Sequence, residues 1–171
     1  IRIVKIADID VKRKKDLKID DEMFTTDPYK VVDDPEIEIV VELIGGTTIS
    51  KEVLMRAARN KKHIVTANKA LLAKYEKEII GEVVRNEVEL GLGASVCGGI
   101  PIIKTVKEAL IGNDIQKIVG IVNGTTNFIL TKMSKEGLNF KESLKIAQRL
   151  GFAEKDPYLD ISGGDASHKI T

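Results

Sequence analysis

One cysteine, Cys97, is all the chain contains. A lone thiol excludes an internal disulfide and fits a reducing compartment. It stands far from both histidines, His63 and His168, so no metal-ligand spacing exists. An excess of one charge is missing too: 27 Lys and Arg face 26 Asp and Glu, for a net charge of +1. That leaves no electrostatic case for a nucleic acid or a membrane surface as partner. No apolar run approaches the roughly 20 residues of a membrane span. No signal peptide, repeat or low-complexity tract is visible. What is present is a 43% hydrophobic chain of 171 residues, which allows one or two small domains with a real core and argues against disorder. The ends read as cut: the chain opens on a strand-like run without methionine and stops at Lys169-Ile170-Thr171, where a helix is expected to be running.

The rhythm along the chain is strand, helix, strand, helix, which predicts βαβ units and a parallel sheet. Ile1 to Ala7 alternates apolar and basic residues as a strand and ends at Asp8. Asp8 reads either as a plain strand-end turn or as the acid that meets the ribose hydroxyls of a dinucleotide. The basic run Lys12 to Lys15 reads as a solvated loop, or as a neighbour of a cofactor 2′-phosphate. Residues 16–36 are polar and irregular, with a turn at Asp33-Asp34-Pro35. The β-branched run Ile37 to Ile44 suits a parallel strand buried on both faces. It ends in Gly45-Gly46-Thr47-Thr48, a turn able to bring backbone close to a flat ligand. Ser50 is placed to cap the helix carrying Val53, Leu54, Ala57 and Ala58. His63 to Ala67 is a short strand. Asn68-Lys69 sits at its carboxyl end, the zone where such sheets bind ligands, although a solvated lysine is the commoner outcome. The next helix carries Leu71, Leu72, Tyr75, Ile79, Ile80 and Val83.

Glu87 to Gly93 reads as another strand. Gly91-Leu92-Gly93-Ala94-Ser95-Val96 mimics the start of G-x-G-x-x-G, but its last glycine is missing and Cys97-Gly98-Gly99-Ile100-Pro101 cannot carry a helix through. A phosphate-binding turn needs that helix N-terminus, so the fingerprint is rejected; the true one is expected before the first strand. A helix is predicted from Pro101 through Leu110, and a strand over Ile115 to Val122. Asn123-Gly124-Thr125-Thr126-Asn127 is a cluster of small polar groups at a strand-to-helix junction, followed by an apolar helical stripe from Phe128 to Met133. Asn139 with Glu142 forms a box-like helix start, and Gly151 a natural stop. Then comes GFAEKDPYLDISGGDASHK, residues 151–169, with four acids: Glu154, Asp156, Asp160 and Asp165. Pro157 and Gly163-Gly164 break any continuous helix, so the backbone must aim the acids individually. Asp165 and Lys169, four apart, share a face of any helix begun after the glycines. Taken alone, this stretch reads equally as a solvated charged loop.

Several of these stretches together resemble homoserine dehydrogenase: VVELIGG (40–46), HIVTANKALLA (63–73), GGIPIIKTV (98–106), GIVNGTTNFILTKM (120–133) and GFAEKDPYLDISGGDASHKI (151–170). Their order and spacing cover essentially the whole chain. The resemblance implies an α/β fold: an incomplete Rossmann-like parallel sheet, residues 1–97, then a catalytic, substrate-binding and dimerisation region, residues 98–171. It implies a cytoplasmic, usually dimeric oxidoreductase of threonine, methionine and isoleucine biosynthesis that interconverts L-homoserine and L-aspartate 4-semialdehyde with NADP or NAD. By position the catalytic lysine maps onto Lys169 and its paired acid onto Asp165. Glu154 and Asp160 fall on substrate-binding acids. Lys69 falls on a lysine near cofactor and substrate, and Gly45, Gly46 and Thr47 on the turn beside the nicotinamide. A sodium-type ion is implied on backbone carbonyls of Val96, Gly98 and Ile100. The chain departs from the family pattern at Leu92-Gly93, where an aromatic residue and a glutamate are usual.

The chemistry suits these residue types. Oxidising a primary alcohol removes its proton while hydride leaves the same carbon, and a lysine tuned toward neutrality can take that proton. Lys169 is the expected acid/base, with Lys69 the alternative or assisting group and Asp165 its orienter. Glu154 and Asp160 are expected to hold the substrate α-ammonium. Asp8 leans toward NAD, Lys12 and Arg13 toward a 2′-phosphate. His168 is expected to pack or face solvent, and Cys97 to be a small buried residue, not a nucleophile. Two other readings remain: a non-catalytic regulatory or binding module of the same fold, and a different NAD(P)-dependent semialdehyde or amino-acid dehydrogenase.

Overall fold

The computed structural model describes residues 1–170. The chain divides into two compact units, Ile1–Ile103 and Lys104–Thr171.

The first unit is built on a parallel sheet in the order β3-β4-β5: β3 (Ile39–Glu42), β4 (His63–Thr66) and β5 (Leu90–Gly91). Ile39 lies opposite His63, and Ile64 opposite Leu90. Helix α3 (Ile49–Arg59) follows β3 and α4 (Lys69–Arg85) follows β4, giving the expected βαβαβ rhythm. Apolar residues at helical spacing on α3 (Val53, Leu54, Ala57, Ala58) and on α4 (Leu71, Ile79, Val83) bury with Val40 and Ile64 in one core. Leu54, 1% exposed, contributes about 1.5–3 kcal/mol by that burial.

The run predicted to be buried on both faces is not. Val40 and Glu42 are buried, but Ile39 and Val41 are 46% and 59% exposed, because α3 and α4 pack on one face only. Pairing also trims the strands. The predicted strand at 1–7 forms a ladder only at β1 (Ile6–Ala7), in parallel with β2 (Phe24–Thr25), a strand inside the stretch read as irregular. That stretch also holds α2 (Tyr29–Val32). The basic run is α1 (Val11–Asp16), a helix instead of a loop, because the Asp10 carboxylate accepts the Lys12 amide and caps it. The predicted strand 87–93 pairs only at β5. The Pro101–Leu110 helix is α5 (Ile102–Lys104) running into a π-helical turn, Thr105–Ala109. The GLGASV segment is a turn closed by Ser95 N to Leu92 O at 3.0 Å, and it is followed by further turns instead of a helix.

In the second unit the predicted strand 115–122 is absent: a strand needs a partner, and among the described residues this segment has no ladder. Its apolar residues stand exposed, Ile118 by 63% and Ile121 by 79%. Helix α6 (Gly124–Glu136) packs on α7 (Phe140–Arg149) through Ile129 and Ala147, with the Phe128 and Phe152 rings stacked at 4.7 Å. The capping box at Asn139 and Glu142 is present in both directions, and Gly151 takes φ +80° after α7. Two short helices follow, α8 (Tyr158–Ile161) and α9 (Gly164–Ile170), separated by Gly163 at φ +80°.

The first unit should have a steep acid limb. The Arg59 guanidinium beside Glu82, aided by Asn86, holds its carboxyl below the ordinary 4.5. The Arg56 fork on Asp33 and the Lys5 ammonium on Asp34 hold those acids below 3.8. All three are depressed in the fold, so the unfolded chain takes up these protons first. Their stabilisation is complete above their ordinary values and drains away as pH falls toward the folded ones. We expect Tm to drop between about pH 5 and pH 3, and less steeply in Glu82→Gln. Equal slopes in the two proteins would overturn this.

Candidate active site

In the second unit the acids of 151–169 are sorted by the backbone, as the helix breakers require. Asp156 spends its carboxylate on the Tyr158 amide at 3.2 Å, starting α8. Asp160 on α8 and Asp165 on α9 turn to one residue, Asn123. Its Nδ2 donates to Asp160 Oδ1 at 2.7 Å and to Asp165 Oδ2 at 2.9 Å. Its Oδ1 accepts the Thr126 amide at 2.8 Å and so caps α6. Asn123 is 7% exposed, and one side chain thus joins the start of α6 to both carboxylates. One helical turn past Asp165, Lys169 Nζ lies 2.7 Å from Asp165 Oδ2 and donates to the Val122 carbonyl at 2.5 Å. Among the described residues those contacts use two of an ammonium's three donors, leaving capacity for one further acceptor. Thr125 Oγ1 donates to the Phe152 carbonyl at 2.5 Å, tying the loop after α7 to α6. Glu154 stands exposed in that loop, with its carbonyl held by Gln148 Nε2 at 3.2 Å. The structure therefore gathers Asp160, Asp165 and Lys169 around Asn123, and leaves Glu154 at the rim of α7. His168 is half-buried on α9.

In the first unit the candidate ligand-facing groups lie at the carboxyl ends of β3 and β4, where open parallel sheets take their ligands. Gly45 and Gly46 hold φ of +80° and +67°, and a Cβ on either would meet nothing within 4 Å. A backbone bare on that side fits a flat ring laid against it. Ser50 is no cap: it sits inside α3, 0% exposed, and its hydroxyl donates to the Gly45 carbonyl at 2.6 Å. The N-cap is Thr48, one residue before the helix. Lys69 is the first residue of α4, which Asn68 caps through the Leu71 amide at 3.1 Å. Asp8 closes its own loop, accepting the Asp10 amide at 2.8 Å and Arg13 Nη1 at 3.3 Å. That turns one basic residue of the 12–15 run back onto the acid.

The segment proposed for a monovalent ion is a tight turn. Cys97 and Gly98 both take φ +58°, Ile100 N donates to the Cys97 carbonyl at 3.1 Å, and the Ile100 carbonyl accepts Ile102 N at 2.8 Å. Val96 is buried, while Gly98 and Ile100 are exposed. Cys97 is exposed, contrary to the expected burial: it lies in this turn, with its own φ at +58°, and not in a packed element. Among the described residues no group of three His, Cys, Asp or Glu side chains is placed to hold a metal, and no helix is long and apolar enough to cross a membrane.

Sequence reasoning gave Asn123 no role beyond membership of a polar junction, and it passed over Glu42. The signal for Glu42 was there: period-two alternation in IEIVVELI puts it on the same face as buried Val40.

Comparison with known proteins gives one answer for both units. A family model described as homoserine dehydrogenase, NAD binding domain, matches residues 1–91, and one described as homoserine dehydrogenase matches residues 101–171. The Bacillus subtilis homoserine dehydrogenase is 48% identical over 99% of this chain, and that of Neisseria gonorrhoeae 47% over 100%. The chain spans 39% of the length of each of these curated relatives. The crystal structure of a homoserine dehydrogenase from Thiobacillus denitrificans superposes with a TM-score of 0.89 at 49% identity, covering 99% of this chain and 39% of that one. A hyperthermophilic archaeal homoserine dehydrogenase in complex with NADPH superposes with a TM-score of 0.78 at 32% identity, covering 92% of this chain and 50% of that one.

Proposed function

The chain belongs to the homoserine dehydrogenase family, and from that premise we propose that this protein interconverts L-homoserine and L-aspartate 4-semialdehyde with NAD or NADP. The observation that carries the reading is the Lys169–Asp165 pair fastened to Asn123, a placed ammonium with its orienter and a capacity for one more acceptor. A binding module has no need of it.

In this reading Lys169 holds and moves the proton at the substrate hydroxyl oxygen. In semialdehyde reduction it donates to the developing alkoxide, and in homoserine oxidation it takes the hydroxyl proton. Asp165 keeps Nζ aimed, and Asp160 and Glu154 receive the substrate α-ammonium. Lys69 polarises the carbonyl oxygen or relays the proton. The nicotinamide, when bound, carries the hydride. Gly45, Gly46 and Thr47 lie beside it and Asp8 meets the ribose, a reading supported by the NAD-binding family match and by the open face of the turn.

Residues 1–97 serve the cofactor and 98–171 serve substrate, chemistry and dimerisation; family matches over 1–91 and 101–171, and two compact units meeting at Ile103 and Lys104, support a division into two parts. A homodimer in the cytoplasm, with a sodium-type ion on the carbonyls of Val96, Gly98 and Ile100, completes the proposal.

The test is a substrate panel with the complete protein, read as nicotinamide reduction with NAD and NADP in parallel, in sodium and in choline chloride. L-Homoserine should be the preferred alcohol, and sodium should raise the rate or Tm. Preference for another amino alcohol would refute the substrate assignment, and identical behaviour in the two salts would refute the ion.

A further inference from the structure

At the carboxyl edge of β3 lies a carboxylate that the reaction does not use. Glu42 is 1% exposed. Burying a carboxylate is costly unless hydrogen bonds replace its water, and here they do. Oε1 accepts the amides of Ile44 at 2.8 Å and Gly45 at 3.2 Å, and Oε2 accepts the Thr66 hydroxyl at 2.6 Å. The chain of contacts continues. Thr66 Oγ1 accepts the Asn68 amide at 3.0 Å, and Asn68 Nδ2 donates to the Gly46 carbonyl at 2.7 Å. A closed ring results: from Glu42 through its own following turn, across to Asn68, down to Thr66 and back to Glu42.

The ring joins the two loops at the carboxyl ends of neighbouring strands, the Gly45–Thr47 turn after β3 and the Asn68–Lys69 junction after β4. Gly45 and Gly46 have positive φ, open flanks and no side chain with which to fix the turn. Glu42 supplies what the glycines lack. Its chemistry is specific, because a carboxylate can accept in two directions at once, one oxygen for the turn and one for the next strand. We propose that Glu42 is a positioning residue which, through Thr66 and Asn68, locks these two loops into one preformed platform for the nicotinamide cofactor. This deepens the reading given above and rests on its placement of the turn beside the cofactor.

The experiment uses the complete enzyme and compares KM for cofactor, KM for homoserine and kcat in Glu42→Ala, Glu42→Gln, Thr66→Val and Thr47→Trp. Glu42→Ala leaves two backbone amides and a hydroxyl unpaired, and should raise the cofactor KM about tenfold or more with the homoserine KM little changed. Glu42→Gln keeps an oxygen for the two amides and should restore the cofactor KM to within about threefold of wild type. Thr66→Val cuts the ring on the other side and should also raise the cofactor KM selectively. Where Glu42→Ala does not fold, Thr66→Val decides alone. A wild-type cofactor KM in Glu42→Ala or Thr66→Val overturns the proposal, as does an equal rise in both KM values, which is the mark of general damage. Thr47→Trp separates the two failures. If it weakens the cofactor while Glu42→Ala does not, only the role of Glu42 falls. If it leaves the cofactor untouched, the turn is not at the cofactor and both readings fall.

Discussion

Lys169→Ala, made in the complete protein, should lower kcat for homoserine oxidation by about 10²–10⁴-fold, the usual share of a positioned acid or base. The cofactor KM should stay near wild type, because Lys169 contacts Asp165 and the Val122 carbonyl, both within the second unit. Removing the side chain does not merely delete a proton carrier. It takes the Lys169 ammonium away from Asp165, whose side chain is 13% exposed. Breaking such a half-buried pair costs some stability, so Tm should fall along with kcat. Lys169→Arg separates the two effects: it keeps the charge beside Asp165 but cannot give up a proton near neutrality, so it should restore Tm and not turnover. An active Lys169→Arg enzyme would reduce Lys169 to an electrostatic anchor.

Asn123→Ala should be the second most damaging change, costing about ten- to a hundredfold in kcat. It removes a helix cap, worth about 1 kcal/mol to α6. It also removes the two N–H donors that hold Asp160 and Asp165 in place. A small misplacement of a catalytic constellation is expensive, because the reacting geometry is pre-assembled by such contacts. Asn123→Asp tells the two losses apart. Its carboxylate can still cap α6 by accepting the Thr126 amide, but it puts a third negative charge between Asp160 and Asp165. We expect near-normal helical content with turnover at least as low as in Asn123→Ala. Turnover close to wild type in Asn123→Asp would mean the acids need no donor at that point.

Both predictions turn on a residue whose sequence signal was local while its role is long-range. Features that depend on neighbours within a turn were legible: the Asn139–Glu142 box, the Gly151 stop, the i,i+4 placement of Asp165 and Lys169, and the false phosphate loop at 91–96. The βαβ rhythm was legible for the same reason, since period two and period 3.6 are properties of short windows. What failed needed a partner. The 115–122 run has every strand preference and no ladder among the described residues, because propensity does not supply a neighbour. β2 is two residues long and exists through its pairing with β1. Ser50 lay within two residues of the helix start, yet its hydroxyl closes the Gly45 turn, a contact across five residues. Asn123 reaches 37 residues to Asp160 and 42 to Asp165, beyond any window. Glu42 broke the apolar run visibly, but its meaning came from Thr66 on the next strand.

The most direct measurement is nicotinamide reduction by the complete protein with saturating L-homoserine, comparing wild type, Lys169→Ala and Lys69→Ala side by side. Wild type should turn over steadily, Lys169→Ala should lose nearly all turnover, and Lys69→Ala should lose less. Near wild-type turnover in Lys169→Ala beside an inactive Lys69→Ala would contradict this, and would move the acid/base to the end of β4.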